Sequence, residues 1–558
     1  MELCDIGLDI KKAHSHEQGS VQHQTRTCQD LLGRPVKMMR RDACECAKSQ
    51  LDLFSVPPVV TSVQEGQWIR YSPLAPPSVA GPLKFNIANP VNAYIDLNQC
   101  YLRICLKIKN TDGTDATHDG DDRLVMSTVN NMMHSLFREV RVQVGHNQLE
   151  ITPSMGTYPY RAYLETLLSY GKAAKGTHLQ CPGWYTDEAG KMDDFNAVAQ
   201  NVNAGLVARR RVILPTREVE LTGRLHCDLF LQDRYLVDGV PMKLELIRSP
   251  SDFYLMSAGD VECRFELTKA EFYVRQVNID PAIREQHVKH MSPGVTAKYP
   301  LTRVQVTAHD IPGGGRDFHK DQLVGGQLPK RVVLGLVDND AFAGSKEKNP
   351  FHFKHNNVTS LKLKLNGQEV HGTEIKSDFQ NNSGSLKQLY MNLFRNTGHL
   401  WQEHPCNLTL DEFRNGFTLW VVDLTADLGA DEGHNYPRHT GKLGLELQFA
   451  EPLPYRTTAR PPPPTTTTTT TARTGTTAKK TANTEMVPLQ ELADQWRFIM
   501  CPTCLKARPS DRFDVVPTAK FYVCLYCGGG VPKGTQSLHD DICPGKYVFR
   551  GLQLICRC

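Results

Sequence analysis

The chain has 558 residues, of which 40% are hydrophobic, 22% charged and 8% aromatic, a balance that excludes a wholly disordered protein and suits two or more folded domains. No run approaches the ~18–20 consecutive apolar residues of a spanning helix, so no membrane-spanning segment is expected. With 64 Lys and Arg against 60 Asp and Glu the formal charge is +4, which gives no global electrostatic footprint for nucleic acid and leaves only local contacts with phosphate.

The opening, MELCDIGLDIKK, has no basic n-region, apolar core or small-residue cleavage site, so the protein is expected not to be secreted and to reside in a reducing compartment. Residues 1–48 are polar and aperiodic, and are read as a disordered leader; His14 and His16 have no ligand pair at site-like spacing. From Leu51 the pattern changes to short alternating runs bounded by Gly, Pro, Asn and Asp. Leu102, Ile104, Leu106 and Ile108 alternate with Arg103, Cys105, Lys107 and Lys109. Val140, Val142 and Val144 follow the same rule, as do Leu244 and Leu246, then Leu361, Leu363 and Leu365, and finally Leu443, Leu445, Leu447 and Phe449. Period-two alternation marks strands buried on one face, and few helical patterns separate them, so the chain is expected to be mainly β, with antiparallel sandwiches or barrels.

An internal repeat sharpens this. The strand 138–144 runs into a Gly145 turn, a short strand and a helical stretch 160–170; the strand 361–365 runs into Asn366-Gly367, a short segment and a helical stretch 386–394. Two such copies about 220 residues apart predict tandem β domains, the first at 49–285 and the second at 286–454. Residues 455–487 hold Pro461 to Pro464 and an unbroken run Thr465 to Thr471, a composition that cannot bury enough surface to fold and is read as a linker.

Seven of the 17 cysteines crowd into residues 501–558, marking a separate module at 488–558. Cys501 and Cys504 form one CxxC knuckle and, after nineteen residues, Cys524 and Cys527 form another. Four thiolates at this spacing supply the tetrahedral soft ligands of a structural Zn2+ ribbon. A competing partition joins Cys524 and Cys527 to His539 and Cys543, leaving Cys501 and Cys504 for a site with Cys556 or Cys558. In either case so small a segment needs the metal to fold. Basic Lys506, Arg508, Arg512 and Lys520 accompany Phe513, Phe521 and Tyr522, while Asp511, Asp514, Asp540 and Asp541 dilute the charge; protein contact and nucleic-acid contact both stay open.

Enzyme machinery is thin in the β region. Gly313 to Gly315 lack a Gly-Lys-Ser/Thr ending, no GxSxG or HExxH occurs, and Asp338 and Asp340 fall in a turn-like run where carboxylates cap or turn the backbone. Cys227 beside His226 is expected on a strand rather than as a nucleophile with its base. The β region is therefore read as structural, with no catalytic residues, no cofactor and no small-molecule substrate.

Four strings are more specific. Residues 44–58 (CECAKSQLDLFSVPP), 157–168 (TYPYRAYLETLL), 230–236 (FLQDRYL) and 326–342 (GQLPKRVVLGLVDNDAF), the last followed by KNPF at 348–351, closely resemble the major capsid protein of Polinton (Maverick) transposable elements and the related adintoviruses. The resemblance runs from about Asp42 to Pro454. It implies a double jelly roll, a tandem pair of eight-stranded antiparallel sandwiches, in which the segment 158–170 is the helix of the first roll. It also implies a homotrimer forming a pseudo-hexameric capsomer, a neighbour in the shell to penton or minor capsid proteins, around packaged double-stranded DNA. The implied location is a virion or virus-like particle in the host cytoplasm or nucleus. The chain departs from that family in its leader before Met38 or Met39, in its C-terminal zinc-ribbon-like module, and after Phe449, where the last strand of the second roll is apparently missing and a bare sheet edge is expected. An alternative from another class is a host-domesticated binding protein whose zinc module recognises nucleic acid or a protein partner.

Overall fold

The computed structural model describes residues 49–54, 56, 59–78, 81–110, 112–114, 126–145, 149–150, 156–213, 218–257, 263–292, 295–370, 374–380, 384–403, 406–431 and 436–454, together with the backbone of the strands Gln495–Met500, Phe513–Val515, Phe521–Cys524, Gly530–Pro532, Lys546–Phe549 and Leu552–Arg557. The leader at 1–48 and the linker at 455–487 lie outside the described residues. Residues up to Thr61 make a unit of their own, in which Ser49–Leu51 forms a single 3-10 turn. Everything below concerns the second unit.

Its first half contributes eight principal strands: β1 (Val63–Tyr71), β2 (Leu83–Ile87), β3 (Tyr94–Asn110), β4 (Phe137–Val144), β5 (Leu149–Glu150), β6 (Glu218–Gly223), β7 (Met242–Arg248) and β8 (Cys263–Ile279). They form two antiparallel sheets, ordered β1-β8-β3-β6 and β2-β7-β4-β5. The second half repeats the plan with β9 (Thr307–Pro312), β10 (Asp317–Gln327), β11 (Arg331–Val337), β12 (Val358–Leu365), β13 (Gln368–Glu369), β14 (Trp420–Asp423), β15 (Thr440–Phe449) and β16 (Gln495–Met500). The sheets are β9-β16-β11-β14 and β10-β15-β12-β13, again antiparallel. Each strand of one half has its counterpart eight numbers on in the other. This is a double jelly roll. Met126–Thr128 with Leu255–Ser257 adds a small two-stranded sheet, and Leu552–Arg557 runs parallel to Ala297–Thr302.

The alternation seen in sequence is the cause of the sandwiches. β2 is buried at Leu83, Phe85 and Ile87 and exposed between them, and Phe85 meets Phe272 of β8 across the sandwich at 6.1 Å between ring centres. Leu102, Ile104 and Leu106 of β3 are fully buried. On the outer face Arg103 reaches Glu220 of β6 at 2.7 Å and Glu271 of β8 at 3.2 Å, a cross-strand charge ladder that pins register. In the second roll Leu361, Leu363, Leu443 and Leu445 face inward, and Asn366 (φ 52) with Gly367 (φ 84) closes the β12–β13 hairpin in the doubly left-handed turn that matches strand twist.

Both helical stretches are present, each longer than predicted. α1 spans Tyr158–Ser169, starting two residues early because Pro159 suits the first helical turn. After α2 (Ala204–Ile213) and α3 (Pro281–Met291), which separates the rolls and is capped by Asp280 accepting from the Ala282 N–H, comes α4 (Gly384–Asn396). It buries Leu386, Leu389 and Leu393 along one stripe and ties Asn396 Nδ2 to the Val421 carbonyl of β14 at 2.6 Å.

Candidate functional site at the junction of the two rolls

α1 is buried on almost every side: Tyr158, Tyr160, Ala162, Tyr163, Leu164 and Leu167 are each at most 6% exposed. A helix buried on almost every side needs cover on both flanks. The second roll provides it. Tyr163 stacks on Phe351 with ring centres 4.2 Å apart and planes 7° from parallel, and Tyr160 stacks on Phe342 at 5.4 Å while meeting Phe351 edge-on at 5.5 Å. Pairs of this geometry add about 0.5–1.5 kcal/mol each beyond the area they bury. Two of the sequence strings, 157–168 and 326–351, are thereby brought into contact with one another.

A polar clamp surrounds the aromatic stack. Arg209 of α2 is fully buried, donating to Asp187 Oδ1 at 2.6 Å, to the Thr128 carbonyl at 2.7 Å and to the Tyr185 carbonyl at 2.6 Å. Asn203 also donates to Asp187 Oδ1 at 2.8 Å, and Asp187 Oδ2 accepts from Asn349 Nδ2 of the second roll at 3.1 Å. Beside it Asp193 accepts from the Asn349 N–H at 3.1 Å and pairs with His352 at 2.8 Å and Lys354 at 3.0 Å. Burial pushes the Asp193 carboxyl up, but the hydrogen bond and charge of His352 and the Lys354 ammonium outweigh it and hold it well below the usual carboxylate range. Lys175 bridges the halves as well, donating to the Leu167 carbonyl of α1 at 2.7 Å and the Cys406 carbonyl at 3.0 Å; burial brings its ammonium down to about 8.

The first roll also holds a cavity of about 610 Å³ lined in part by His134, Glu165, Thr166, His226 and Asp228. His226 Nδ1 meets Glu165 Oε2 at 2.7 Å, Arg161 donates to Glu165 at 2.9 Å and to Asp228 at 2.7 Å, and His134 pairs with the Tyr158 hydroxyl at 2.9 Å. Burial raises the Glu165 carboxyl, yet Arg161 and the His226 hydrogen bond prevail and bring it down to about 2. Burial, then the neighbouring His226, drives His134 well below the ordinary imidazole range. The cluster is an anchored ion network at the base of α1.

The other residues singled out in sequence fall as follows. His226 has Nδ1 on Glu165 and Nε2 3.4 Å from Thr166 Oγ1; Cys227 is buried, and it precedes the 3-10 turn Asp228–Leu231 instead of lying on a strand, because the chain must turn here to bring Asp228 onto Arg161. Asp338 stands ahead of the short helix Asn339–Ala343 without a side-chain capping bond; its carboxylate goes to Lys354 at 2.9 Å and Lys348 at 3.3 Å. Gly314 (φ 81) donates its N–H to the Leu453 carbonyl at 2.8 Å, and the Leu453 N–H returns to Gly315 at 3.1 Å, so the glycine turn clasps the chain after β15. Of the zinc candidates, Cys524 ends the strand Phe521–Cys524. Its side chain and Cys501, Cys504, Cys527, His539 and Cys543 lie outside the described residues. Among the described residues no group of three or more His, Cys, Asp or Glu is placed to hold a metal ion, and no helix is long and apolar enough to cross a membrane.

Comparison with known proteins agrees with the architecture. No family model matches the chain. An uncharacterized protein of Caenorhabditis elegans, F54H12.2, is 25% identical over 377 residues, covering 66% of this chain and 86% of its own length. Among solved structures, a chain of the Sputnik virophage particle superposes with a TM-score of 0.50 at 11% identity, covering 87% of this chain and 97% of that one. The Faustovirus major capsid protein gives a TM-score of 0.46 at 9% identity over 81% of this chain and 92% of its own, and the mavirus major capsid protein 0.42 at 11% over 85% and 94%.

Proposed function

We propose that the chain is a structural capsid subunit of a Polinton-like element, acting by self-assembly and not by catalysis. One observation carries this reading. Two rolls of the same strand order are fused in one chain and locked at a buried aromatic and ionic junction, so three copies about a threefold axis present six similar rolls in a ring, as a pseudo-hexameric capsomer requires. The fold shared with the Sputnik virophage chain and the long strings resembling the Polinton major capsid protein support it. The capsomers would tile a shell around double-stranded DNA, meeting penton or minor capsid proteins at its vertices.

In the Cys-rich segment, Cys501, Cys504, Cys524 and Cys527 are proposed to hold a structural Zn2+, the alternative set being Cys524, Cys527, His539 and Cys543. One equivalent of zinc per chain, lost on C501S/C504S, is the expected metal analysis; no zinc in the purified protein overturns it.

Expression of the full chain followed by negative-stain electron microscopy tests the capsid reading. Hexagonal capsomers, singly or in lattices, are expected. Particles of monomer size together with zinc-dependent retention on nucleic acid would instead favour a binding protein.

A further inference from the structure

Lys175 bridges the two rolls, yet its ammonium is only partly satisfied. The residue is 9% exposed. An ammonium carries three N–H donors, and two of these go to the Leu167 and Cys406 carbonyls at 2.7 and 3.0 Å. Among the described residues the third N–H has no acceptor and the ammonium has no carboxylate partner. The nearest further support is the Trp184 ring, whose centre is 5.8 Å away. A buried cation without a counter-charge is costly, and burial is the cause that brings this ammonium down to about 8.

The same group opens onto a space. Lys175 lines a cleft of about 660 Å³ whose walls come from both rolls, a volume typical of small-molecule sites, which run to about 300–1,000 Å³. The first roll contributes Trp184 and Tyr185, and the small Ala208 of α2 leaves room beside them; the second roll contributes Tyr390 and Phe394 of α4. Rings on both walls suit a flat apolar body. Lys172 adds a second cation to the lining. The acid that lines the cleft, Glu412, is already engaged, accepting from the Thr409 N–H and hydroxyl at 2.8 and 2.9 Å.

We propose that the cleft binds an aromatic carboxylate, whose anionic group accepts the third N–H of Lys175 and whose ring lies among Trp184, Tyr390 and Phe394. The carboxylate supplies the counter-charge that the buried amine lacks. A neutral analogue of the same shape fills the space and leaves the cation uncompensated, so charge and not bulk sets the preference. A ligand there touches both rolls, so occupancy stabilises the folded junction by mass action. This inference rests on the junction alone and is independent of the capsid reading.

Isothermal titration of the full chain near neutral pH with 2-naphthoate, 2-naphthamide and 2-naphthylmethylammonium tests it without any variant. Naphthoate is expected to saturate one site per chain and to bind at least about tenfold more tightly than the amide, as a hydrogen bond to a charged group allows, with the ammonium weakest. No saturation by naphthoate at about 1 mM overturns the proposal, and so does equal affinity for carboxylate and amide. Acetylation with peptide mapping reads the location: saturating naphthoate is expected to slow labelling of Lys175 at least about fivefold and to leave the exposed Lys289 unchanged, and unslowed labelling of Lys175 overturns the site. K175Q is expected to weaken naphthoate at least about tenfold while naphthamide stays within about twofold, which also shows that the variant is folded. A208W, which fills the cleft from α2, is expected to abolish both. Undiminished naphthoate binding in either variant overturns the assignment.

Discussion

The two rolls share a strand order and differ in how they close. β8 is 17 residues long and follows β7 after residues 249–262; β16 is six residues long and follows β15 after residues 450–494. By loop-closure entropy alone, lengthening the connection from 14 to 45 residues costs only about 1 kcal/mol. β8 carries Phe265, Leu267, Phe272 and Val274 into the core, and outside its sheets the second roll is held by α4, which buries Leu386, Leu389 and Leu393, by the Phe351 stack on Tyr163 and by Asn349 on Asp187 and Asp193. A jelly roll thus tolerates a long interruption before its last strand when the rest of the sandwich is anchored elsewhere.

Breaking the clamp gives the largest expected effect. Asp187→Ala leaves Arg209 charged and buried, which costs about 3–5 kcal/mol; because Arg209, Thr128, Tyr185 and Asn203 all belong to the first roll, urea unfolding should show the first roll destabilised most, and an unchanged midpoint for that roll would contradict the clamp. Next is Gly335→Val in β11. A Cβ there comes within 2.6 Å of the Phe353 ring and 2.9 Å of Leu419, an overpacking that costs about 1–3 kcal/mol by the same assay. Thr409→Ala removes the reciprocal capping box with Glu412 at the start of Leu410–Arg414, for a loss of about 1 kcal/mol, again confined to the second roll.

The last effect is a slope with pH, and it belongs to the first roll. Glu165 has a depressed carboxyl, about 2 against an ordinary 4.5, so its stabilising contribution is complete above about 4.5 and is lost as pH falls toward 2. Stability measured between pH 5 and pH 3 should therefore fall less steeply in Glu165→Gln than in the parent protein. Identical slopes would contradict the assigned ion network.

The sandwiches were legible because burial of one sheet face writes itself into the chain with period two, as in Leu102 to Ile108 and Leu361 to Leu365. The repeat was legible because hairpin geometry demands special residues, and Asn366-Gly367 supplied them. The junction was not. Asp187, Asp193 and Arg209 look like solvated charges in sequence, and only folding sets Arg209 against Asp187 and Asn349 against both acids. The helix 158–169 could be seen, but not that its second flank is covered by Phe342 and Phe351 from almost two hundred residues away. QWRFIM was equally opaque: six residues beyond a Pro/Thr run acquire meaning only from the slot between β9 and β11.

The most direct measurement is the solution mass of the purified full chain by light scattering with zinc present. Assembly into capsomers predicts a species near three times the 62.6 kDa chain, about 188 kDa. A monodisperse 62.6 kDa monomer at micromolar concentration would contradict the account.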